Sequence, residues 1–382
     1  MKRKILILLS YILVAALATT TTLFLTHEEA EYSKLQQLED LIQEYYIDPV
    51  DTTRIEDAAA EGMISAVGDR WSYYIPAAEY ASFVEQNNNA YVGIGITILT
   101  QEENAMGFEV MEVAAGGPAE EAGIEVGDIV VAVEGQKTAG MDTTEMRNIV
   151  RGEEGTFVQI TVYRGGSEIT MDVERREVQT IVASGQMLSE TVGLGTIENF
   201  DARCADETIA AIEALQEQGA ERLIFDVRNN PGGYAHELVE VLDYLLPEGD
   251  LFRTLDYSGK EDVDTSDADY LDMPMVVLVN ADSYSAAEFF AVALQEYGAA
   301  SVVGQQTSGK GYFQQTFLLD DGSAVALSTG KYFTPKGVSL EGVGITPDVE
   351  VAVDEETYSL IYYNQMEPEE DPQIQAALEL LK

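Results

Sequence analysis

The sequence predicts an α/β protein in which a layered core follows a small β-rich module and an N-terminal helical region. Three observations predict it. From about residue 180 onward, apolar strand-like runs alternate with amphipathic helical runs, the pattern of a largely parallel sheet covered by helices. Between residues 90 and 178, short β-rich runs are separated by Gly-rich turns. Between residues 28 and 87, apolar positions recur at helical spacing, as at Leu35, Leu38, Leu41 and Ile42. With 382 residues the chain accommodates two or three domains, and 46% hydrophobic residues can fill their cores.

The chain opens on basic Met1-Lys2-Arg3-Lys4, followed by an uncharged, largely apolar run from Ile5 to Thr26. At about 1.5 Å per residue such a run spans the roughly 30 Å of a bilayer's hydrocarbon. The basic flank then sends the rest of the chain across the membrane. Ala16-Leu17-Ala18 also fits a signal-peptidase site, so residues 1–27 are expected to be a signal anchor or a signal peptide. The anchor is favoured because the apolar run continues through Leu23-Phe24-Leu25.

Residues 28–88 form the helical region, broken at Asp48-Pro49 and carrying an aromatic turn with Trp71, Tyr73 and Tyr74, read as core or as an interface between helices. Polar Gln86-Asn87-Asn88-Asn89 marks a boundary. Residues 89–178 are expected to hold strands at 92–99, 108–113, 129–133, 157–163 and 168–173, with short helices at 118–122 and 143–151. In residues 179–382, strands at 192–197, 222–227, 276–279 and 301–303 alternate with helices at 205–218, 235–246 and 286–297.

A formal charge of −47 argues against nucleic acid or an anionic membrane surface as partner. The single Cys204 permits no internal disulfide and reads as a small buried hydrophobe. With His27 and His236 the only histidines, there is no zinc-binding cluster, and neither metal nor cofactor is expected.

Chemistry in layered α/β proteins gathers at the carboxyl ends of strands. There Val276-Val277-Leu278-Val279-Asn280 leads through a tight turn to Ser285, at the mouth of an apolar helix. A hydroxyl at that point sits beside free backbone N–H groups and the positive end of a helix dipole. After the strand ending near Arg228, Pro231-Gly232-Gly233 lets the backbone approach a ligand closely. The amide of Gly232 or Gly233, with that of Ala286, would cradle a developing oxyanion. Neither histidine lies in a Ser-His-Asp type segment, so another group must take the serine proton; Lys310 is the candidate. Gln314 lies four residues on and shares a face with Lys310 in an extended segment, placed to orient its amine.

Lys310 must spend time neutral although an unperturbed lysine has a pKa of about 10.4. An anionic protein stabilises the ammonium, so the role requires an apolar pocket away from carboxylates. Its sequence neighbours Ser308, Gly309, Gly311, Tyr312 and Phe313 are uncharged. Taken singly, Ser285 reads as an N-cap, Lys310 as a solvated cation and Asn229 to Gly233 as a turn. Their joint spacing favours catalysis, with Asp226 and Arg228 bracing the strand end.

Asp226-Val227-Arg228-Asn229-Asn230-Pro231-Gly232-Gly233, Ser283-Tyr284-Ser285-Ala286-Ala287-Glu288 and Ser308-Gly309-Lys310-Gly311 resemble three signature blocks of the carboxyl-terminal processing proteases, the tail-specific S41 serine peptidases. Leu327-Ser328-Thr329-Gly330-Lys331-Tyr332-Phe333-Thr334-Pro335, ahead of Gly344-Ile345-Thr346-Pro347-Asp348, is similar too. The resemblance covers nearly everything after the N-terminal segment. It implies a Ser285/Lys310/Gln314 triad, an oxyanion hole from the Gly232 and Ala286 amides, and a crotonase-like core of ClpP/crotonase-type layers. It also implies an inserted PDZ domain that gates the site, and homo-oligomers.

The middle module carries its own signal. Tyr91-Val92-Gly93-Ile94-Gly95-Ile96 resembles a PDZ carboxylate-binding loop, so Val92, Gly93, Ile94, Gly95 and Ile96 are expected to capture a peptide C-terminus. Gly116-Gly117-Pro118-Ala119 and Gly127-Asp128-Ile129-Val130 match later PDZ turns. One position departs from the family: Tyr284 stands beside the nucleophile where a small residue is usual, and narrows the substrate pocket.

The expected protein is an extracytoplasmic serine endopeptidase acting on proteins with free C-termini and touching the membrane through its N-terminal segment. A catalytically silent tail-binding scaffold is the alternative. Acyl-CoA chemistry on a related core is disfavoured by the PDZ module, the export signal and the want of a basic pocket for CoA phosphates.

Overall fold

The computed structural model describes residues 34–100 and 106–382, so the expected membrane segment lies outside the described residues. Among the described residues, no helix is long and apolar enough to cross a membrane. The chain divides into two compact units, Met1–Pro76 and Ala77–Lys382.

In the first unit, α1 (34–45) precedes α2 (Thr52–Ser65). Asp51 starts α2 by accepting the Arg54 N–H, the usual repair for an orphan first-turn amide. The aromatic turn is organised locally. Asp69 accepts from the Trp71 N–H and the Ser72 hydroxyl, Arg70 lies 4.1 Å over the Trp71 ring, and Tyr74 donates to Asp57. Trp71 and Tyr74 are half-buried, whereas Tyr73, the first residue of the short strand β1 (Tyr73–Ile75), is exposed.

The second unit begins with α3 (Ala77–Asn87) and β2 (Ala90–Gly93). β2 pairs antiparallel with β9 (Arg176–Gln179), setting Ala90 opposite Gln179, so the chain enters and leaves the β-rich module through one two-stranded ribbon. Within the module, β3 (Ile96–Thr100), β4 (Phe108–Val113), β5 (Ile129–Val133), β7 (Phe157–Arg164) and β8 (Ser167–Glu174) form an antiparallel sheet in that order, with β6 (Gln136–Lys137) beside β5. Along β7 the buried Val158, Ile160 and Val162 alternate with less buried residues, the two-residue period of a sheet with one face inward. They pack with Phe108, Val130 and Met146 under α4 (Pro118–Ala122) and α5 (Thr143–Val150). The single strand expected over 92–99 is two strands. Gly95 at φ +77° turns the chain from the ribbon with β9 into the sheet with β4, a conformation that favours glycine.

The core sheet runs β10 (Ala183–Met187), β11 (Val192–Ile197), β12 (Arg222–Asp226), β15 (Met275–Val279), β16 (Ala300–Gly304), β19 (Val349–Glu350). β10 is antiparallel to β11 and every other pairing is parallel. All five residues of β15 are buried, as a sheet covered on both faces requires. One face packs α6 (Cys204–Glu217), α7 (Ala235–Leu245) and α8 (Ala286–Tyr297); the other packs α10 (Pro372–Leu380), which follows α9 (Glu355–Tyr362). Cys204 is fully buried in the first of these cores, and burial pushes its thiol up to about 12, an inert hydrophobe as composition indicated. The sequence did not foretell a second, antiparallel group in which β17 (Tyr312–Leu318) pairs β18 (Ala324–Phe333), β18 pairs β13 (Gly249–Asp256) and β13 pairs β14 (Glu261–Ser266).

Candidate active site

The strand ends of β12 and β15 are stitched together by asparagines. Asn280 accepts the Asn229 N–H at 2.9 Å and donates its amide to Asn229 Oδ1 at 2.7 Å. Ser283 accepts the Asn280 N–H and donates to the Val227 carbonyl at 2.7 Å. Tyr284 donates its N–H to the Asn230 carbonyl. These bonds drive the turn after β15 against the loop after β12, and Ser285 is where they meet.

Ser285 is 7% exposed and holds φ +59°, ψ −125° at the N-cap of α8. Such backbone costs about 1–3 kcal/mol and persists only where surroundings over-determine it. Here the Ser285 N–H donates to Glu288 Oε2 at 3.1 Å, while its carbonyl accepts from the Glu288 and Phe289 amides. Gly232, at φ +88°, backs directly onto it. A Cβ on Gly232 would stand 2.8 Å from both Ser285 Cβ and the Ala286 nitrogen. Only glycine admits that approach.

The two expected oxyanion donors differ in state. The Ala286 N–H lies in the first turn of α8, where no intrahelical acceptor exists. The Gly232 N–H donates to Asn230 Oδ1 at 2.8 Å, so it is engaged within its own loop. An oxyanion would have to displace or share that side-chain oxygen.

Glu288 is the residue that sequence reasoning passed over. It is 0% exposed and accepts from the Ser285, Gly309 and Lys310 amides and the Thr307 hydroxyl. Burial raises its pKa above the ordinary carboxylate value, against the downward pull of those four donors. One carboxylate therefore grips the backbones of both the serine and the lysine. The signal was present: Ser285-x-x-Glu288 is a capping-box spacing.

Lys310 is not remote from carboxylates, contrary to its uncharged sequence neighbours. Glu288 holds its N–H at 2.8 Å and Glu341 holds that of Gly311 at 2.8 Å. Its ammonium nitrogen lies 5.7 Å from the centroid of the Tyr284 ring, within reach of a cation–π attraction. Gln314, on β17, donates Nε2 to the Tyr312 carbonyl and to Ser328 Oγ, both at 3.1 Å. Its carbonyl oxygen is thereby the atom left to receive an amine. Nearby, Asp201 is pushed up to about 7, chiefly by burial and further by the Glu237 charge.

Asp226 and Arg228 brace the strand end as expected. Arg228, with its side chain 5% exposed, pairs with Asp226 and, across the chain, with Asp371 at 2.8 Å and Gln373 at 2.9 Å. Burial works against its charge, but the two carboxylates outweigh burial and raise its pKa.

In the β-rich module, a groove of 330 Å³ opens between β3 and α5. Gly93, Ile94, Gly95 and Ile96 line it, four of the five residues expected to hold a peptide terminus. The fifth, Val92, donates its N–H to Glu85 Oε1 at 3.4 Å. The Tyr91 ring lies against Gly93, where a Cβ would stand 2.7 Å from it.

Residues 191–351 match the family described as peptidase family S41, and residues 109–164 match a PDZ domain. The carboxy-terminal processing protease CtpA of Bacillus subtilis is 29% identical over 364 residues, covering 91% of this chain and 78% of that protein. A probable CtpA-like serine protease of Staphylococcus epidermidis is 30% identical over 361 residues, covering 91% and 73%. A solved structure from Bacteroides fragilis ascribed to the S41 proteases superposes with a TM-score of 0.55 at 16% identity, covering 90% of this chain and 96% of that one, a likeness of fold. With that kinship running along nine-tenths of its length, the chain belongs to peptidase family S41 and is a carboxy-terminal processing serine protease bearing a PDZ domain.

Proposed function

We propose that this protease works beyond the cytoplasmic membrane and cleaves peptide bonds with Ser285 as nucleophile, Lys310 as general base and Gln314 as the group that positions Lys310. The observation that carries the reading is the shared carboxylate: Glu288 fixes Ser285 and Lys310 to one point in the core. Ser285 Oγ attacks the scissile carbonyl and its proton passes to the lysine amine. The tetrahedral oxyanion is received by the Ala286 N–H, joined by the Gly232 N–H once Asn230 Oδ1 yields it. The lysine then returns the proton to the leaving amine, and water resolves the acyl-enzyme.

The ammonium resting over Tyr284 must first lose its proton. Lowering a lysine from about 10.4 to about 8 costs the charged form roughly 3 kcal/mol. Substrate filling the cleft supplies desolvation in the required direction. Export rests on the basic and apolar opening of the sequence, which would tether the protein or be cut away. The family resemblance carries self-assembly and a crotonase-like layering of the core, with the parallel sheet between helical layers in keeping with it, while the helical region over 28–88 rests on apolar periodicity.

The test is a peptide with a free, small apolar C-terminus, and the same peptide amidated. Ser285→Ala and Lys310→Ala are each expected to lower turnover by about a thousandfold or more while binding persists. Undiminished cleavage by purified Ser285→Ala protein would refute the assignment.

A further inference from the structure

The groove of the PDZ domain carries more positive charge than holding a bare C-terminus requires. β3 is an edge strand, paired only with β4 among the described residues, and its open edge faces α5. Ile94, Ile96 and Ile98 alternate into the groove opposite Met146 and Val150, so an extended peptide added to β3 finds an apolar floor. Arg147 and Arg151 line the same groove. Arg147 lies in α5 and Arg151 is its C-cap residue, four positions on, so two like charges stand close together beside one groove. A chain with 21 basic against 68 acidic residues places two arginines together here.

Arg151 is answered. Its guanidinium lies 3.0 Å from Glu85 Oε2, and the other oxygen of Glu85 accepts the Val92 N–H at 3.4 Å. A carboxylate thus already sits between the expected terminus-holding loop and a guanidinium, which marks this as the carboxylate end of the groove. Arg147 is exposed, and among the described residues no carboxylate pairs with it.

We propose that Arg147 makes this domain select protein tails with an acidic residue two positions before the C-terminal one. The inference rests on the reading of the groove as a C-terminus site. Its register follows from geometry. From Arg147 to the C-cap residue Arg151 the chain advances about 6 Å along the helix axis, at roughly 1.5 Å per residue. An extended peptide advances about 3.3 Å per residue, so the same distance spans two of its residues. Side chains two apart also share a face, so the terminal side chain and the acidic one both turn toward α5.

The experiment uses the full chain carrying Ser285→Ala, so that ligands survive. Labelled hexapeptides ending in free alanine carry a single glutamate scanned through the four positions before that alanine, and affinity is read by fluorescence anisotropy. Glutamate at the third position from the end is expected to tighten binding about threefold, the reach of an exposed ion pair. Arg147→Ala and high salt should each remove the extra gain of the glutamate peptide over the peptide without glutamate. Equal affinity at all four positions, or a gain that survives Arg147→Ala, would overturn the inference. Amidated peptides binding as well as free ones would overturn the groove reading itself, whereas a missing positional preference with amidation still effective sinks only the role of Arg147.

Discussion

Asp201 and Glu288 are both acids that the fold forces away from ordinary behaviour, but for different ends. Glu288 is surrounded by donors and serves as a clamp. Asp201 faces another carboxylate, Glu237, in a buried setting that pushes it up to about 7. A carboxyl whose pKa is raised by folding contributes stability that is fully present below its unfolded value and lost as pH rises through the folded one. For Asp201 the window runs from about 4 to about 7. Asp201→Asn should therefore raise the melting temperature increasingly across that window and by a constant amount above it. Scanning calorimetry from pH 4 to 8 checks this, and a benefit that shrinks toward pH 8 would contradict the assignment.

At the scale of elements, the loop after β12 shows what a sequence discloses and what it withholds. Pro231-Gly232-Gly233 announces a close backbone approach, and the structure supplies it at 2.8 Å from Ser285 Cβ. Nothing in the spacing announces that Asn230 would occupy the Gly232 amide, because that bond depends on the loop's final shape. Gly232→Ala would drive a methyl into Ser285 Cβ and the backbones of Tyr284 and Ala286. We expect kcat/KM to fall about a hundredfold or more, as when an oxyanion donor is misplaced, with peptide binding to the PDZ groove retained. Near-normal turnover would show that the approach is not needed.

Of the core sheet, β11, β12, β15 and β16 with α6, α7 and α8 were legible because each is an apolar run or a helical period; the edge strands β10 and β19 and helices α9 and α10 were not. Met275–Val279 and Ala286–Tyr297 fall within a residue of expectation. The antiparallel group escaped notice because its pattern is not apolar. β14 reads Glu261-Asp262-Val263-Asp264-Thr265-Ser266, with five of its six residues exposed. Its strand character comes from hairpin pairing with β13 across a four-residue turn, which the polar residues of the strand do not disclose. The clamp of Glu288 on Lys310 was hidden because 22 residues separate the partners.

For the molecule as a whole, the join between the C-terminal helix and the sheet rests on Arg228. It neutralises Asp226 and Asp371, whose side chains are 14% and 2% exposed. Arg228→Ala would strand both charges, a loss of about 3–5 kcal/mol. Urea unfolding should report it as a lower midpoint, and an unchanged midpoint would show that the C-terminal helix is held by its apolar face alone. The ribbon of β2 and β9 has an equally global consequence. Since Ala90 and Gln179 are neighbours across it, the chain between them enters and leaves by one stem, with the Arg151–Glu85 ion pair as a second tether to α3. Along the polypeptide, the PDZ domain and the catalytic layers are joined through that stem, so the four residue pairs of the ribbon set where the domain is attached.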